Sequence, residues 1–348
     1  MSLLVRAPVL LLGSILLTTP ALAFDAHQVN EVDPTAAAPK SSDDKLDPVV
    51  TKTEILLDRA HFSPGVIDGK SGENVEKAIT AFADAHGAKW DGQWTPELWQ
   101  ALSNGAPDDL FTRYTTTDND VNGPFLKKVP AKMEDMKNLP GLYYKNVQEE
   151  LAERFHVSQE MLAALNPGSK FDKAGLTLVV PAVTDNPLDD KVARVVVDKS
   201  TQTVEAFDSK NEMIAFYPAT VGSEEKPAPS GRLKITIVKQ HPTYHYNPKY
   251  HFKGVKTEKP FTIKPGPNNP VGVVWIGLTG EGYGIHGTPD PDKVSKSASH
   301  GCIRLTNWDA LQLAAAVRKG VPVDFVGERS GAAAPNKAPA PRETIGWR

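Results

Sequence analysis

The chain has 348 residues, 40% hydrophobic and 23% charged, which is too long for one ordinary module and too apolar for a chain disordered throughout. Its 39 basic and 42 acidic side chains leave a formal charge of −3, which removes any global electrostatic case for a nucleic-acid partner. The single cysteine, Cys302, excludes an intrachain disulfide, so stability must come from packed cores.

Residues 1–23 carry one charge, Arg6, then the apolar run Val9 to Leu17, then Pro20-Ala21-Leu22-Ala23. That order reads as a secretory signal peptide and predicts export to the periplasm or cell envelope, with a mature chain starting at Phe24. The run is too short and too interrupted for the roughly 20 apolar residues of a spanning helix. Residues 24–50, with Pro34, Pro39 and Ser41-Ser42-Asp43-Asp44, show no sustained period and read as a flexible leader.

Helical spacing begins at Thr51, where Ile55-Leu56-Leu57 and then Val75, Ile79, Phe82 and Ala83 recur at three- and four-residue intervals. A third helix, Pro96 to Leu102, follows Thr95 as its N-cap, giving a small all-α three-helix unit over 51–104. The phrases Pro64-Gly65-Val66-Ile67-Asp68-Gly69 and Asp91-Gly92 make turns between these helices. Their order resembles the peptidoglycan-binding three-helix domain of cell-wall enzymes, which implies contact with the wall polymer.

Residues 105–137 are polar and read as a linker. Over 138–183, Leu151, Phe155, Val157, Leu162 and Leu165 are on helical spacing, closing on Leu176 to Pro181; the opening strand is expected near Asn146-Val147-Gln148-Glu149. The pattern of strand, helix, helix and L-x-V-P strand resembles a LysM module, which implies a small α+β unit binding N-acetylglucosamine chains; the plain alternative is a βααβ spacer.

From 191 to 326 the hydrophobic period changes to two, in Val195-Val196-Val197, Thr203 to Phe207, Leu233 to Val238 and Val273 to Leu278. One helix starts at Thr306-Asn307-Trp308-Asp309 and a last strand runs Val321 to Val326, so this unit is expected to be mostly β and sandwich-like. Residues 327–348, rich in alanine and proline, read as a disordered tail. The predicted fold class is therefore multidomain.

Chemistry concentrates in Gly284-Ile285-His286-Gly287-Thr288 and Ser299-His300-Gly301-Cys302-Ile303-Arg304-Leu305. A cysteine is strongly nucleophilic only as the thiolate, so it needs a neighbouring base. A free cysteine is usually an inert small hydrophobe, but one kept in an oxidising compartment beside two histidines reads as a nucleophile. His286 and His300 are both candidates for the base, and the residues alone leave that choice open, since His300 would share a strand face with Cys302. Arg304 is equally a structural ion-pair partner or a substrate clamp. His241 and His245 lie in a proline-flanked segment, His241 to Phe252, with no H-E-x-x-H phrase, so no zinc site is expected there. That segment reads as a lid or groove wall with aromatics available to substrate.

These phrases, with Pro227 to Leu233 and Asn269-Pro270-Val271-Gly272, resemble the signature of the L,D-transpeptidase catalytic domain, the YkuD family. The resemblance implies Cys302 as nucleophile, His286 as general base and the Gly287 carbonyl as its orienting partner. It further implies that His300, Gly301 and Cys302 supply oxyanion donors, that Ser299 supports the loop and that Arg304 orients the site. The implied reaction moves an acyl group from a tetrapeptide stem of peptidoglycan, releasing D-alanine, to an amine on a neighbouring stem, giving a 3-3 cross-link. Alternative acceptors are a lysine of an envelope lipoprotein or water, the latter making a carboxypeptidase; the remaining alternatives are a non-catalytic wall-binding protein and a metal-dependent hydrolase using His286, His300 and Cys302. Carbapenem-type β-lactams are implied as inhibitors, and the implied reaction needs no metal or organic cofactor.

Overall fold

In a computed structural model describing residues 24–35, 45–103, 109–183, 187–222, 228–248, 255, 257–296 and 301–327, the first element falls inside the expected leader. Helix α1 (Ala26–Glu31) is capped by the Asp25 carboxylate, which accepts from the His27 N–H, and it buries Val29 completely. The Lys52 ammonium donates to the Asn30 and Val32 carbonyls at 2.7 and 2.9 Å, fixing the end of α1. The flexible-leader expectation is thus corrected for residues 24–35. A six-residue helix is too short to hold itself or to show a period, and it forms here because a neighbour supplies its contacts. The signal segment 1–23 lies outside the described residues, as does the tail beyond Gly327.

The three expected helices follow as α2 (Pro48–Arg59), α3 (Glu73–Ala85) and α4 (Pro96–Ser103). α2 starts ahead of Thr51 because Asp47 accepts from the Val49 and Val50 N–H groups and Pro48 takes the first helical position. Thr95 caps α4 as expected, its hydroxyl accepting from the Leu98 N–H at 3.2 Å.

The second module contains β1 (Phe111–Thr115), α5 (Asp118–Asn122), α6 (Met133–Met136), α7 (Val147–Arg154), α8 (Gln159–Leu165) and β2 (Thr177–Pro181). β1 pairs antiparallel with β2, from Phe111↔Pro181 to Thr115↔Thr177. This corrects two expectations: the opening strand comes from the supposed linker 105–137, and Asn146 is not in a strand but caps α7, accepting from the Glu149 N–H. The β1 sequence, Phe-Thr-Arg-Tyr-Thr, is short and half polar, so its pairing partner, not its own pattern, makes it a strand. Nor do the two modules have separate cores. Ile55, Leu57, Ala78 and Phe82 from the bundle pack in one cluster with Leu151, Met161, Leu162 and Val180 from the second module.

The remaining strands are β3 (Arg194–Asp198), β4 (Thr203–Phe207), β5 (Met213–Pro218), β6 (Thr220–Val221), β7 (Gly231–Gln240), β8 (Tyr244–Tyr246), β9 (Phe261–Ile263), β10 (Val274–Leu278), β11 (Gly284–His286), β12 (Ile303–Arg304) and β13 (Pro322–Val326). Helix α9 (Asn307–Ala316) precedes β13, with the Thr306 hydroxyl accepting from the Asp309 N–H at 3.1 Å. The domain is mostly β, as expected, but its layers are halves of one sheet ordered β5-β4-β3-β13-β7-β10-β11-β12-β6. The ten-residue β7 joins the halves: its first residues pair with β13 and its last with β10. The two edge strands, β5 and β6, are separated in the chain by Ala219 alone, so the sheet must curl almost into a barrel. Val195, Val204, Ile276, Ile285, Ile303 and Leu313 fill its interior.

A third cluster lies on the outer face of β10. There the hairpin of β8 and β9 packs Tyr244, Tyr246 and Ile263 against Trp275, with Leu126 and Leu142 of the second module on top. The aromatics expected to face substrate are therefore buried, Tyr246 stacking on Phe261 at 4.6 Å. Tyr250, His251 and Phe252 lie outside the described residues.

Candidate active site

The curl of the sheet puts one cross-strand row to use. Trp275 on β10 is the register partner of His286 on β11, and His286 is the partner of Arg304 on β12. Because side chains alternate along a strand, these three share one face, while the next row, Ile276, Ile285 and Ile303, points into the barrel core. Cys302, two residues before Arg304, belongs to the face that carries His286, at the entry to β12. The sequence-predicted nucleophile, base and arginine therefore come together on neighbouring strands. They do so because apolar and reactive residues alternate in Gly284-Ile285-His286 and Cys302-Ile303-Arg304.

His286 is 3% exposed. Its Nδ1 lies 2.7 Å from the Gly287 carbonyl oxygen, which can only accept, so the proton sits on Nδ1 and the Nε2 lone pair is left to accept. Burial, reinforced by the Arg304 guanidinium, holds the imidazole down to about 3, against which the Gly287 carbonyl works weakly. The ring is thus neutral at ordinary pH. Trp275 stacks on it at 5.5 Å between centroids and 18° between planes. That stacking requires Gly284, since a Cβ there would stand 2.5 Å from the Trp275 ring.

Cys302 is half-buried against the third cluster, and its thiol donates to the Gly282 carbonyl at 3.6 Å. Gly301, just before it, has φ +92°, a left-handed conformation that favours glycine. Arg304 is half-buried; desolvation lowers its pKa, while Cys302, Asp290 and Tyr244 raise it by charge. Ser299 and His300 lie outside the described residues.

Sequence reading missed the supports of this row. Trp275 sat within a recognised strand run, where a lone aromatic gives no sign of which face it covers. The upstream modules also reach the active-site loops. Asn74 on α3 donates to the Val294 carbonyl at 3.2 Å and Lys77 to the Ser295 hydroxyl at 2.9 Å, both just ahead of the cysteine loop. Asn307, the first residue of α9, fills the space beside Gly287, where a Cβ would overlap its Oδ1, and donates to Glu153 of α7 at 2.8 Å. No signal in a single sequence pairs residues so far apart. Among the described residues, no group of three or more His, Cys, Asp or Glu side chains is placed to hold a metal ion.

Two family models and several curated relatives match the chain. Residues 192–325 match the family model described as "L,D-transpeptidase catalytic domain" (YkuD), and residues 47–102 match one described as "Putative peptidoglycan binding domain". A Bacillus licheniformis protein, "Putative L,D-transpeptidase YkuD", is 29% identical over 51% of this chain and 92% of its own length. The Escherichia coli K12 protein "Probable L,D-transpeptidase YbiS" is 26% identical over 52% of this chain and 60% of its own. A crystal structure of an L,D-transpeptidase from Xylanimonas cellulosilytica aligns at 15% identity over 83% of this chain and 99% of that one, with a TM-score of 0.36.

Proposed function

Since the chain carries an L,D-transpeptidase catalytic domain behind a peptidoglycan-binding domain, we propose that it is an exported enzyme that cross-links peptidoglycan through a Cys302 thioester. The observation that carries the reading is the shared face of Cys302, His286 and Arg304, with the His286 tautomer set by the Gly287 carbonyl.

In the first half-reaction His286 Nε2 takes the thiol proton as the sulfur attacks the carbonyl carbon of an L,D bond in a tetrapeptide stem. Because the buried imidazole is a weak base at rest, the starting pair is thiol and neutral imidazole, and the proton moves as the S–C bond forms. The oxyanion is met by backbone N–H groups of the loop through Gly301 and Cys302, a type of contact worth about 2.7–4 kcal/mol per donor elsewhere. The C–N bond then breaks, and the proton on His286 passes to the departing nitrogen of D-alanine. In the second half, an acceptor amine, such as the side-chain amine of diaminopimelate on a neighbouring stem, attacks the thioester. It gives its proton to His286, and the sulfur leaves and recovers a proton. The products are one new amide, one free D-alanine and the original thiol.

The bundle over 51–104 and the LysM-like module would hold the enzyme on its polymer and raise the local substrate concentration. Localisation at the cell wall follows from the same modules together with the signal-like N-terminus.

A carbapenem tests the nucleophile. Its β-lactam C–N bond opens as the S–C bond forms, so intact mass spectrometry should show wild-type protein gaining the whole drug mass and Cys302→Ala gaining none. Equal labelling of both proteins would refute the assignment.

A further inference from the structure

The geometry points to Glu153, on helix α7 of the second module, as a positioning residue for His286, acting through Asn307 and the Gly287 peptide. This rests on the reading of His286 as the base.

The Gly287 carbonyl fixes the His286 tautomer, so whatever fixes the Gly287 peptide fixes the base. Gly287 has no side chain of its own to hold it; the Asn307 side chain occupies the space where one would be. Asn307 is 4% exposed. Its Oδ1 accepts from the Val273 N–H at 3.2 Å, and its Nδ2 donates to Glu153 Oε2 at 2.8 Å and to the Pro267 carbonyl at 3.3 Å. A side-chain amide is nearly symmetric in shape, so only its partners decide which end is oxygen. Turned over, Asn307 would set its NH2 against the Val273 N–H, donor against donor. Glu153 reinforces the observed orientation by supplying the shortest of the three bonds.

Glu153 is itself 8% exposed, and burial pushes its carboxyl up to about 8. Asn307 opposes that rise by its hydrogen bond and Lys145 by its charge, while Glu149 and Asp292 add to it. A leucine would fill the same space without burying a polar group, but it could not accept from Asn307. The catalytic domain therefore borrows one of its supports from the module upstream. That module is a working part of the active site as well as a wall tether.

The test uses the mature full-length protein and the rate of acylation by a carbapenem, measured from pH 5 to 9 with folding checked by thermal unfolding. Since the Glu153 carboxyl is mostly protonated at neutral pH, Glu153→Gln should acylate within about threefold of wild type there. Glu153→Leu should be at least tenfold slower and show a displaced pH profile, although its core is more apolar than before. Asn307→Asp should also be slow, and Glu153→Gln combined with Asn307→Asp, which reverses donor and acceptor, should recover most of the rate. Wild-type rate and pH profile in a folded Glu153→Leu would overturn the inference. If that variant does not fold, the exchange decides alone: a double variant no faster than Asn307→Asp overturns it. His286→Ala runs beside them. Wild-type acylation by His286→Ala would overturn the reading of the base, whereas a dead His286→Ala beside an unimpaired Glu153→Leu would overturn the role of Glu153 alone.

Discussion

Replacing Gly272 by alanine should injure the active site from a position that contacts neither Cys302 nor substrate. Gly272 has φ +62°, so any side chain there meets a left-handed backbone cost of about 1 kcal/mol. The new Cβ would overlap Asn307 Oδ1 and stand 2.6 Å from the Gly287 carbonyl carbon, and neither Asn307 nor a backbone peptide has flexible reach to yield. Overpacking of this kind costs about 1–3 kcal/mol. Displacing Asn307 would also strand the buried Val273 N–H, for roughly 1–3 kcal/mol more. The total, about 3–7 kcal/mol, is a large share of a domain's usual stability. Gly320 supplies the control: it has φ +95° but nothing within 4 Å of its would-be Cβ, so Gly320→Ala should cost only the backbone part, about 1 kcal/mol. Urea unfolding of both variants gives the stability difference, and carbapenem acylation at low temperature, where both are folded, gives the functional one. Gly272→Ala should acylate at least tenfold more slowly and Gly320→Ala at the wild-type rate. A Gly272→Ala protein no less stable and no slower than Gly320→Ala would refute the reasoning.

Two further outcomes concern pH. Because burial and Arg304 hold His286 down to about 3, the imidazole is already in its basic form throughout the mildly acidic range. The rising limb of carbapenem acylation against pH should lie well below 6, and an inflection near the ordinary histidine value would contradict the burial argument. Asp309, on the first turn of α9, lines a cavity of about 560 Å³ between the modules with Asp58, His61 and His156. Desolvation, aided by the Asp58 charge, raises its carboxyl to about 7, while the Thr306 and Ser63 hydrogen bonds and the His156 charge oppose the rise. Between the unfolded value and about 7 the native state holds the extra proton, so this group removes stability as pH rises through that window, by up to about 4 kcal/mol. Asp309→Asn should therefore flatten the fall in urea midpoint between pH 5 and 8, and an unchanged slope would show that another group carries it.

The candidate catalytic row was legible because reactive and core residues alternate along its strands. Ile285 and Ile303 mark the core face, so His286, Cys302 and Arg304 must take the other. Thr95 and Thr306 announced their helices by local hydrogen bonds that depend on nearby residues alone. What escaped sequence reading depends on distant partners. β1 is a strand because β2 lies beside it, α1 is ordered because Val29 enters the core it shares with α2 and α3, and Asn307 matters because Glu153 and Gly287 meet it from opposite sides. The supposed linker 105–137 was polar enough to read as a spacer, yet Leu126 and, beyond it, Leu142 close over the Tyr244 hairpin next to Cys302. Gly272 was recognised only as part of a phrase; its physical reason, the close passage of Gly287 and Asn307, exists in three dimensions alone.

The central claim is that Cys302 carries the acyl group between two amines. Mature protein and its Cys302→Ala variant should be incubated with disaccharide-tetrapeptide and the products weighed by mass spectrometry. The account predicts a cross-linked dimer lacking one D-alanine in the wild-type sample and unchanged substrate in the variant. Tripeptide without dimer would give the acceptor role to water or to a protein amine, and dimer formation by Cys302→Ala would contradict the account.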